Sequence, residues 1–193
     1  ALARRGRGQT SPTSGHSVED EATDLIALLH QIGPGVFLSG HSYGAHVALA
    51  AAAQLPSHVA KLVLYEAPWP HLIPSAFLST PRDWDAFCGH FFTELLRVPA
   101  AEVQALRQSV HWAPILADAP ATLHDLRALA AYEFNPEDFA GLPIPTLLQI
   151  GAESPRSLYV TDALAAMLPK ATIASLPGQA HEAMTTAPEL YAE

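Results

Sequence analysis

Cysteine and long apolar runs are nearly absent from this sequence. Its one cysteine, Cys88, cannot form an intramolecular disulfide and offers no set of thiolates for a metal, so neither a disulfide framework nor a metal site is expected. Even the alanine-rich run at 45–55 contains His46 and Gln54, so no segment reaches the roughly 18 apolar residues typical of a membrane helix. These absences favour a soluble protein, and a cytoplasmic location is expected.

Positive charge is also scarce, because 10 Lys and Arg face 19 Asp and Glu, for a formal net charge of -9. Nucleic acids and anionic membranes bind broad cationic faces, so neither is expected as a partner. The cluster of Arg4, Arg5 and Arg7 is too short to change this expectation. With 193 residues, of which 49% are hydrophobic, the chain can bury one sizeable core.

Helix and strand patterns alternate through the first third of the chain. An amphipathic pattern from Ser17 is closed by glycines and a proline at 33–35, and an alanine-rich helix ends near Pro56. Short apolar runs at 36–39 and 61–65 are typical of strands, and the first is predicted to be buried on both faces. This order predicts parallel strands joined by right-handed crossovers, which is the α/β class with a mostly parallel sheet flanked by helices.

Between residues 67 and 140 the pattern becomes helical, with prolines separating pieces such as 99–108 and 121–132. Strand patterns resume at 146–150 and 171–176, with a helix predicted at 157–168 between them and a last helix near Pro188. The sequence therefore predicts a core made of residues 1–66 and 141–193, interrupted by a helical insertion at 67–140.

The motif Gly40-His41-Ser42-Tyr43-Gly44 separates the strand at 36–39 from the alanine-rich helix. Small residues around a serine allow a strained turn that lifts the hydroxyl clear of the backbone, as in a nucleophile elbow. The N-terminus of the helix adds partial positive charge, and the Tyr43 N–H is suited to a developing oxyanion. The motif predicts Ser42 as a nucleophile and Tyr43 as an oxyanion donor.

A serine nucleophile needs a histidine to accept its proton and a carboxylate to fix the tautomer of that histidine. Among ten histidines, His181 lies in a loop just after the last predicted strand, whereas the others lie in the elbow, in the insertion or beside helices. The chain order of nucleophile, acid and histidine also fits His181. The position predicts His181 as the general base.

Two carboxylates follow predicted strands and compete for the role of acid. Glu153 comes after the strand at 146–150, between Ser42 and His181 in the chain, and is the favoured catalytic acid. Glu66 ends the strand at 61–65 and is the alternative acid. Asp162 is a weaker candidate because it lies on a predicted helix.

Several segments, taken together, resemble successive landmarks of bacterial α/β-hydrolase-fold enzymes. They are Arg4-Arg5-Gly6-Arg7-Gly8, Ser17-Val18-Glu19-Asp20, the elbow, Leu62-Val63-Leu64-Tyr65-Glu66 and Gly178-Gln179-Ala180-His181. The resemblance covers most of the chain and is weakest at 67–140. It implies Ser42 as nucleophile, His181 as general base, Tyr43 as one oxyanion donor, and a variable helical cap at 67–140 that shapes the substrate pocket.

The sequence also departs from that family. Ala3 stands where an aspartate is usual, and the position that commonly carries the acid, three residues past a glycine, is Ser154 in this chain, next to Glu153. The family has further strands ahead of the Arg4 landmark, with a His-Gly loop that supplies a second oxyanion N–H, and this sequence begins after them. We therefore expect an exposed sheet edge, which would allow a homo-oligomer.

The expected function is a carboxylesterase-like serine hydrolase that cleaves an ester or related acyl bond through an acyl-enzyme on Ser42. No cofactor is expected. Aromatic side chains of the insertion suggest a small-molecule substrate with an apolar part; they are Trp69, Phe77, Trp84, Phe87, Phe91, Phe92 and Trp112. The alternative is a weak or inactive relative that binds a small apolar ligand, or a partial domain that needs a partner.

Overall fold

A computed structural model describes residues 3–8, 10 and 16–192, apart from the side chain of residue 102. The described residues divide into two units. One contains residues 18–72 and 132–192, and the other contains residues 73–131 with the described residues that precede Val18. These divisions lie close to the predicted limits of the insertion, 67 and 140, but those limits stay a prediction.

Helices and strands follow one another along the chain in the order that the α/β class requires. They are α1 (Val18–Ile32), β1 (Val36–His41), α2 (Tyr43–Gln54), β2 (Val59–Tyr65), α3 (Trp84–His90), α4 (Ala100–Arg107), α5 (Trp112–Ala130), β3 (Thr146–Gly151), α6 (Thr161–Met167), β4 (Ala171–Leu176), α7 (Ala183–Thr186) and α8 (Pro188–Ala192). A five-residue π-helical turn, Phe91–Leu95, follows α3, and short 3-10 turns occupy Pro70–Leu72, Ser75–Leu78, Pro136–Phe139 and Arg156–Leu158.

The four strands form one parallel sheet in the order β1-β2-β3-β4, which confirms the predicted α/β class. In the register of the sheet, His41 lies opposite Tyr65, and Tyr65 lies opposite Gln149. The carboxyl ends of β1 and β2 are therefore level with each other, and β3 continues slightly further, to Gly151. Turns that leave these ends are brought side by side, which is where ligands bind in open parallel sheets.

Strand β1 differs from its prediction, because it is not buried on both faces. Among the described strands it is an edge strand, and it pairs with β2 alone. The side chain of Phe37 is 72% exposed and Ser39 is exposed, whereas Val36 and Leu38 between them are half-buried. This alternation shows that the described residues pack against one face of β1 and leave the other to solvent.

Helix α2 packs against α1 and against strands β1 and β2. In α1, Val18, Ala22, Leu25 and Leu29 recur at three- and four-residue spacing and are buried, so one stripe of the helix faces the core. Half of the residues of α2 are alanines, and most of these are buried, which lets the helix approach the sheet closely. This pairing positions the N-terminus of α2 at the end of β1.

The helix predicted at 157–168 is shorter than expected. Residues Arg156–Leu158 form a 3-10 turn, Tyr159 is extended, and α6 begins at Thr161. Tyr159 forms an isolated antiparallel bridge with Pro68, and the Val160 N–H donates to the Ala67 carbonyl at 2.9 Å. Backbone pairing with a distant segment has overridden the local helical pattern at this point.

The unit of residues 73–131 is helical, as predicted, but its longest helix extends further than the sequence indicates. Helix α5 runs from Trp112 to Ala130 and passes through Pro120, although the sequence pattern predicts a helix that starts at 121. A proline within a helix removes one N–H donor and crowds the preceding turn. In α5, Ala119 and Ala121 on both sides of the proline are buried, and this packing offsets the loss.

Aromatic side chains form much of the core of this helical unit. Phe77, Phe87, Phe92 and Trp112 are all buried in one cluster, and the Trp112 Nε1–H donates to the Asp85 carboxylate at 2.7 Å. A cavity of about 240 Å³ lies among some of the same side chains; it is lined by Arg7, Phe87, Cys88, Phe91, Phe92, Pro114, Ile115, Asp118 and Thr122. Most of the predicted pocket aromatics thus also serve as core.

The arginines near the N-terminus are held by α5. Arg4 donates to Asp125 at 2.6 and 3.2 Å, and Arg7 donates to the same carboxylate at 2.7 Å. Burial opposes ionisation of Asp125, but hydrogen bonds from His16 and Arg4 and the two arginine charges lower its pKa well below the usual range. The basic landmark of the sequence is therefore a structural ion-pair site in the helical unit.

None of the described helices combines the length and the apolar composition needed to cross a bilayer.

Candidate active site

Ser42 forms a strained link between β1 and α2. It lies between the last residue of β1, His41, and the first residue of α2, Tyr43. Its backbone angles are φ 54° and ψ -125°. Holding a residue that has a side chain in this region of backbone angles costs about 1–3 kcal/mol. The Ser42 N–H donates to the Tyr65 carbonyl at 2.8 Å, and the Ser42 carbonyl accepts from the Ala45 N–H at 3.0 Å. Hydrogen bonds on both sides thus hold the strained conformation.

The two glycines of the elbow have different roles. A Cβ on Gly40 would lie 2.4 Å from the Gly44 carbonyl oxygen, a distance that no real side chain tolerates. A Cβ on Gly44 would meet no described atom within 4 Å beyond its chain neighbours and the backbone of its own helix. The close approach of the strand to the helix therefore requires the first glycine and not the second.

The amide of Tyr43 opens helix α2. The N–H groups of a helix's first turn are not consumed by the helix's own hydrogen bonds, and the helix dipole places partial positive charge there. Because Tyr43 directly follows Ser42, its N–H is attached to the residue that carries the hydroxyl. The role of Tyr43 as an oxyanion donor stays a prediction, which its place at the N-terminus of α2 supports chemically.

Glu66 ends β2 in a turn much like that of Ser42, with φ 49°, and its side chain is fully buried. One carboxylate oxygen, Oε1, accepts from the Gly151 N–H at 2.8 Å. The other, Oε2, lies 2.6 Å from Nδ1 of His181. A buried carboxylate needs hydrogen-bond donors, and Glu66 finds them on β3 and on the loop after β4.

His181 lies in the loop that follows β4 and is 3% exposed. Because Nδ1 donates to the Glu66 carboxylate, Nε2 is the ring nitrogen left to accept a proton. The imidazole packs against three other rings, with centroids 4.4 Å from His41, 5.6 Å from Tyr159 and 6.4 Å from Tyr65. These contacts fix the ring's orientation as well as its tautomer.

His41 joins the elbow to the base. It precedes Ser42 in the chain, and its ring packs on that of His181 and on that of Tyr65 at 5.2 Å. Burial, together with the neighbouring His181, lowers the pKa of His41 to about 3, so its ring is neutral near pH 7. The structure therefore brings the residues around the predicted nucleophile into contact with the predicted base.

Glu153, the favoured acid of the sequence prediction, does not contact His181. Its side chain is exposed and makes no hydrogen bond to the described residues, whereas its backbone N–H donates to the Gln179 carbonyl at 2.9 Å. Asp162, the weaker candidate, pairs with Arg156 at the surface. Glu66, the alternative acid, holds the position next to His181, because β2 lies beside β3 and its end turn points the carboxylate at Nδ1.

Sequence reasoning missed Gly151 as a residue of this site. A Cβ on Gly151 would lie 2.3 Å from the Gln179 carbonyl oxygen, in the loop that leads to His181. The same residue donates its N–H to Glu66. The one signal in the sequence is that Gly151 directly follows a predicted strand. Close approach between two loops that are distant in the chain leaves no pattern in the local sequence.

The sequence pattern that defines the alpha/beta hydrolase family matches residues 1–193. An alpha/beta hydrolase from Sphaerobacter thermophilus DSM 20745 is 30% identical over 98% of this chain and 77% of that one, with a TM-score of 0.78.

Two more distant structures share the fold. MGS-M2, an alpha/beta hydrolase enzyme from a Medee basin deep-sea metagenome library, is 18% identical over 97% of this chain and 74% of its own, with a TM-score of 0.77. A thermophilic esterase from Thermogutta terrifontis is 22% identical over 98% and 75%, with a TM-score of 0.69. The family and its structural neighbours support a hydrolase-type activity.

Proposed function

Because this chain belongs to the alpha/beta hydrolase family, we propose that it is a carboxylesterase-like serine hydrolase that cleaves an ester or related acyl bond through a covalent acyl-enzyme on Ser42. The observation that carries the proposal is the buried pair of Glu66 and His181, 2.6 Å apart, next to a strained serine turn. Backbone strain and buried ionisable pairs are found at functional sites more often than elsewhere in a protein.

In the proposed reaction, Nε2 of His181 accepts the proton of the Ser42 hydroxyl as the oxygen attacks the substrate carbonyl. The Tyr43 N–H donates to the oxyanion that forms. The imidazolium then protonates the leaving alcohol, and the C–O bond to that alcohol breaks to give the acyl-enzyme. Water, deprotonated by the same Nε2, attacks the acyl carbonyl and releases the acid, and Ser42 regains its proton.

Glu66 stays ionised in this cycle and keeps the proton of His181 on Nδ1. This tautomer leaves Nε2 as an acceptor in the resting enzyme, and the carboxylate stabilises the imidazolium that forms in each half-reaction. Glu66 thus replaces Glu153 as the proposed acid. We propose a small-molecule substrate with an apolar part, because aromatic side chains are frequent in the segment 67–140, which the sequence predicts to shape the substrate pocket.

A fluorophosphonate probe tests the proposed nucleophile, because it reacts covalently with an activated serine. We expect one label per chain on the peptide that contains Ser42 and none in Ser42→Ala. Ser157→Ala, which removes an exposed serine in a 3-10 turn, is the matched control and is expected to label like the wild type. A folded wild-type protein that takes no label and hydrolyses no p-nitrophenyl acetate would overturn the proposal.

A further inference from the structure

A tyrosine lies against the pair of Glu66 and His181. The Tyr159 hydroxyl oxygen is 3.3 Å from Nδ1 of His181, and the two rings stack with a centroid distance of 5.6 Å and an interplanar angle of 12°. Tyr159 is 4% exposed. Among the described contacts, this phenol touches the proposed base and not the proposed nucleophile, so any role it has is exerted through the base and its acid partner.

The direction of each hydrogen bond follows from the distances. The Nδ1–H of His181 donates to Glu66, because that contact is 2.6 Å and the contact with Tyr159 is 3.3 Å. The Tyr159 hydroxyl thus lies beside the nitrogen that donates to Glu66. Burial and the neighbouring Glu66 raise the pKa of Tyr159, the nearby Ser154 opposes that rise, and the phenol keeps its proton.

Ser154 and Glu66 both lie near the Tyr159 phenol, since both affect its pKa. Ser154 is buried, with 8% of its surface exposed. Glu66 accepts hydrogen bonds from the Gly151 N–H and the His181 Nδ1–H. The protonated phenol, held against the imidazole and near the carboxylate, adds a polar neighbour that restricts how this buried pair can move.

The backbone of Tyr159 is fixed to the segment that follows Glu66. Tyr159 bridges Pro68, the Val160 N–H donates to the Ala67 carbonyl at 2.9 Å, and the Trp69 N–H donates to the Leu158 carbonyl at 2.9 Å. The phenol and the carboxylate are thus carried by two paired segments. Any shift of one segment moves the other with it.

We propose that Tyr159, supported by Ser154, is a positioning residue that holds the Glu66 carboxylate against Nδ1 of His181. The inference rests on the proposed function, in which Glu66 is the acid. Its role is to keep one carboxylate oxygen in line with the Nδ1–H bond throughout the reaction, which keeps the base in the productive tautomer.

Other titratable groups face this pair. Glu182 follows His181, and burial raises the pKa of Glu182, opposed by the neighbouring His181. Tyr65 packs near the imidazole, and its hydroxyl donates to the Ala180 carbonyl instead of to the carboxylate. His41 is neutral near pH 7, as described above. Among the described tyrosines, Tyr159 is the one whose hydroxyl lies within hydrogen-bond distance of Nδ1 of His181.

Tyr159→Phe tests the proposal because it removes the hydroxyl and keeps the stacked ring. With p-nitrophenyl acetate we expect kcat to fall about tenfold to a hundredfold, the ratio that a hydrogen bond to a charged group is worth, with little change in KM. In proton NMR of protein with ¹⁵N-labelled histidine, we expect the downfield His181 Nδ1–H resonance to move. An unchanged kcat together with an unmoved resonance would overturn the proposal.

Tyr65→Phe is the matched control, because it also removes a buried tyrosine hydroxyl from a hydrogen bond in the same unit. We expect it to lower the melting temperature, with a smaller loss of kcat than Tyr159→Phe produces. Equal losses of kcat in the two variants, in proportion to their losses of stability, would show a structural role alone and would overturn the proposal.

Ser154→Ala gives a second reading if Tyr159→Phe does not fold. It removes the hydroxyl that lies near the phenol, and we expect a smaller loss of kcat and a smaller shift of the same NMR resonance; no shift would overturn the inference. The resonance is measured without turnover. A wild-type protein with neither probe labelling nor esterase activity would therefore refute the proposed function, whereas the NMR result would still decide the role of Tyr159.

Discussion

Two neighbouring strands end in residues with positive φ, Ser42 after β1 and Glu66 after β2. Their φ values are 54° and 49°, and each donates its N–H to the next strand, Ser42 to the Tyr65 carbonyl and Glu66 to the Gln149 carbonyl. Glycines lie two residues before and after Ser42, whereas Ala67 and Pro68 follow Glu66. The same backbone geometry is therefore built once with glycines and once without.

The difference lies in what holds each turn. At Ser42 the close approach of Gly40 to α2 is local in sequence. At Glu66 the restraints are distant: the Pro68 carbonyl accepts from Nε2 of His46 at 2.7 Å, and the Ala67 carbonyl accepts from the Val160 N–H. A strained turn can thus be specified by its own residues or by tertiary contacts, and each kind is sensitive to different substitutions.

The largest expected effect comes from removing the charge of Glu66, in the turn that follows β2. Glu66→Gln keeps the shape of the side chain but no longer fixes the tautomer of His181, so we expect kcat on p-nitrophenyl acetate to fall about 10³- to 10⁴-fold. Glu153→Gln is the matched control, since that side chain is exposed, and is expected to retain wild-type kcat. A larger loss of kcat in Glu153→Gln than in Glu66→Gln would instead indicate that Glu153 is the acid.

The two glycines of the first turn are expected to respond differently to the same substitution. Gly40→Ala places a methyl group 2.4 Å from a carbonyl oxygen, so we expect urea unfolding to show a loss of about 1–3 kcal/mol, with loss of probe labelling at Ser42. Gly44→Ala meets open space and adds helix propensity, so its free energy of unfolding should equal or exceed that of the wild type. Similar losses in both variants would contradict this account.

We expect the free energy of unfolding to fall at acidic pH because of His46, which donates to the Pro68 carbonyl in the turn after β2. Burial lowers the pKa of His46 to about 4, so below pH 6.5 the unfolded chain binds a proton that the folded chain does not, and stability falls as pH falls. By pH 5 this costs about 2 kcal/mol of the free energy of unfolding.

His46→Gln tests this, because its amide can still donate to the Pro68 carbonyl while it does not titrate. We measure the free energy of unfolding in urea at pH 7 and at pH 5 for both proteins. We expect the decrease between the two pH values to be about 2 kcal/mol smaller in His46→Gln than in the wild type. Some loss should persist, because the pKa of His41 is lowered to about 3 and acts in the same direction. An equal loss in both proteins would exclude His46 as the cause.

The smallest expected effect isolates the strain at Ser42. Ser42→Gly relieves the backbone conformation and Ser42→Ala does not, so we expect the glycine variant to unfold with a free energy about 1 kcal/mol higher than that of the alanine variant. Both variants lack the nucleophile, so catalysis plays no part in the comparison. A glycine variant less stable than the alanine variant would show that the turn is not strained.

Strands and helices whose signals are local are predicted well. The limits of β4 match the predicted 171–176, because apolar and β-branched residues bounded by a proline and glycine turn define them. Helix α5 is predicted too short, since Pro120 is locally a breaker and only buried neighbours show that it is tolerated. The exposed face of β1 could not be read either, because its apolar residues resemble those of a covered strand.

The two candidate acids show where reading a sequence stops. Glu66 and Glu153 both follow parallel strands, and residue type does not distinguish them. What separates them is the register of β2 against β3 and the direction of each end turn, which sends Glu66 toward Nδ1 of His181 and Glu153 into solvent. Side-chain direction in a turn depends on backbone angles that the surrounding fold imposes.

The segment 36–66 carries both the serine and the carboxylate on one continuous β-α-β stretch. The helical residues from 73 to 131 are inserted only afterwards in the chain. Insertions or deletions among those helices therefore leave the number of residues between Ser42 and Glu66 unchanged. They change only the length of the connection to β3. The proposed function therefore predicts that substitutions among these helices can change substrate preference and leave the spacing of the proposed nucleophile and acid unchanged.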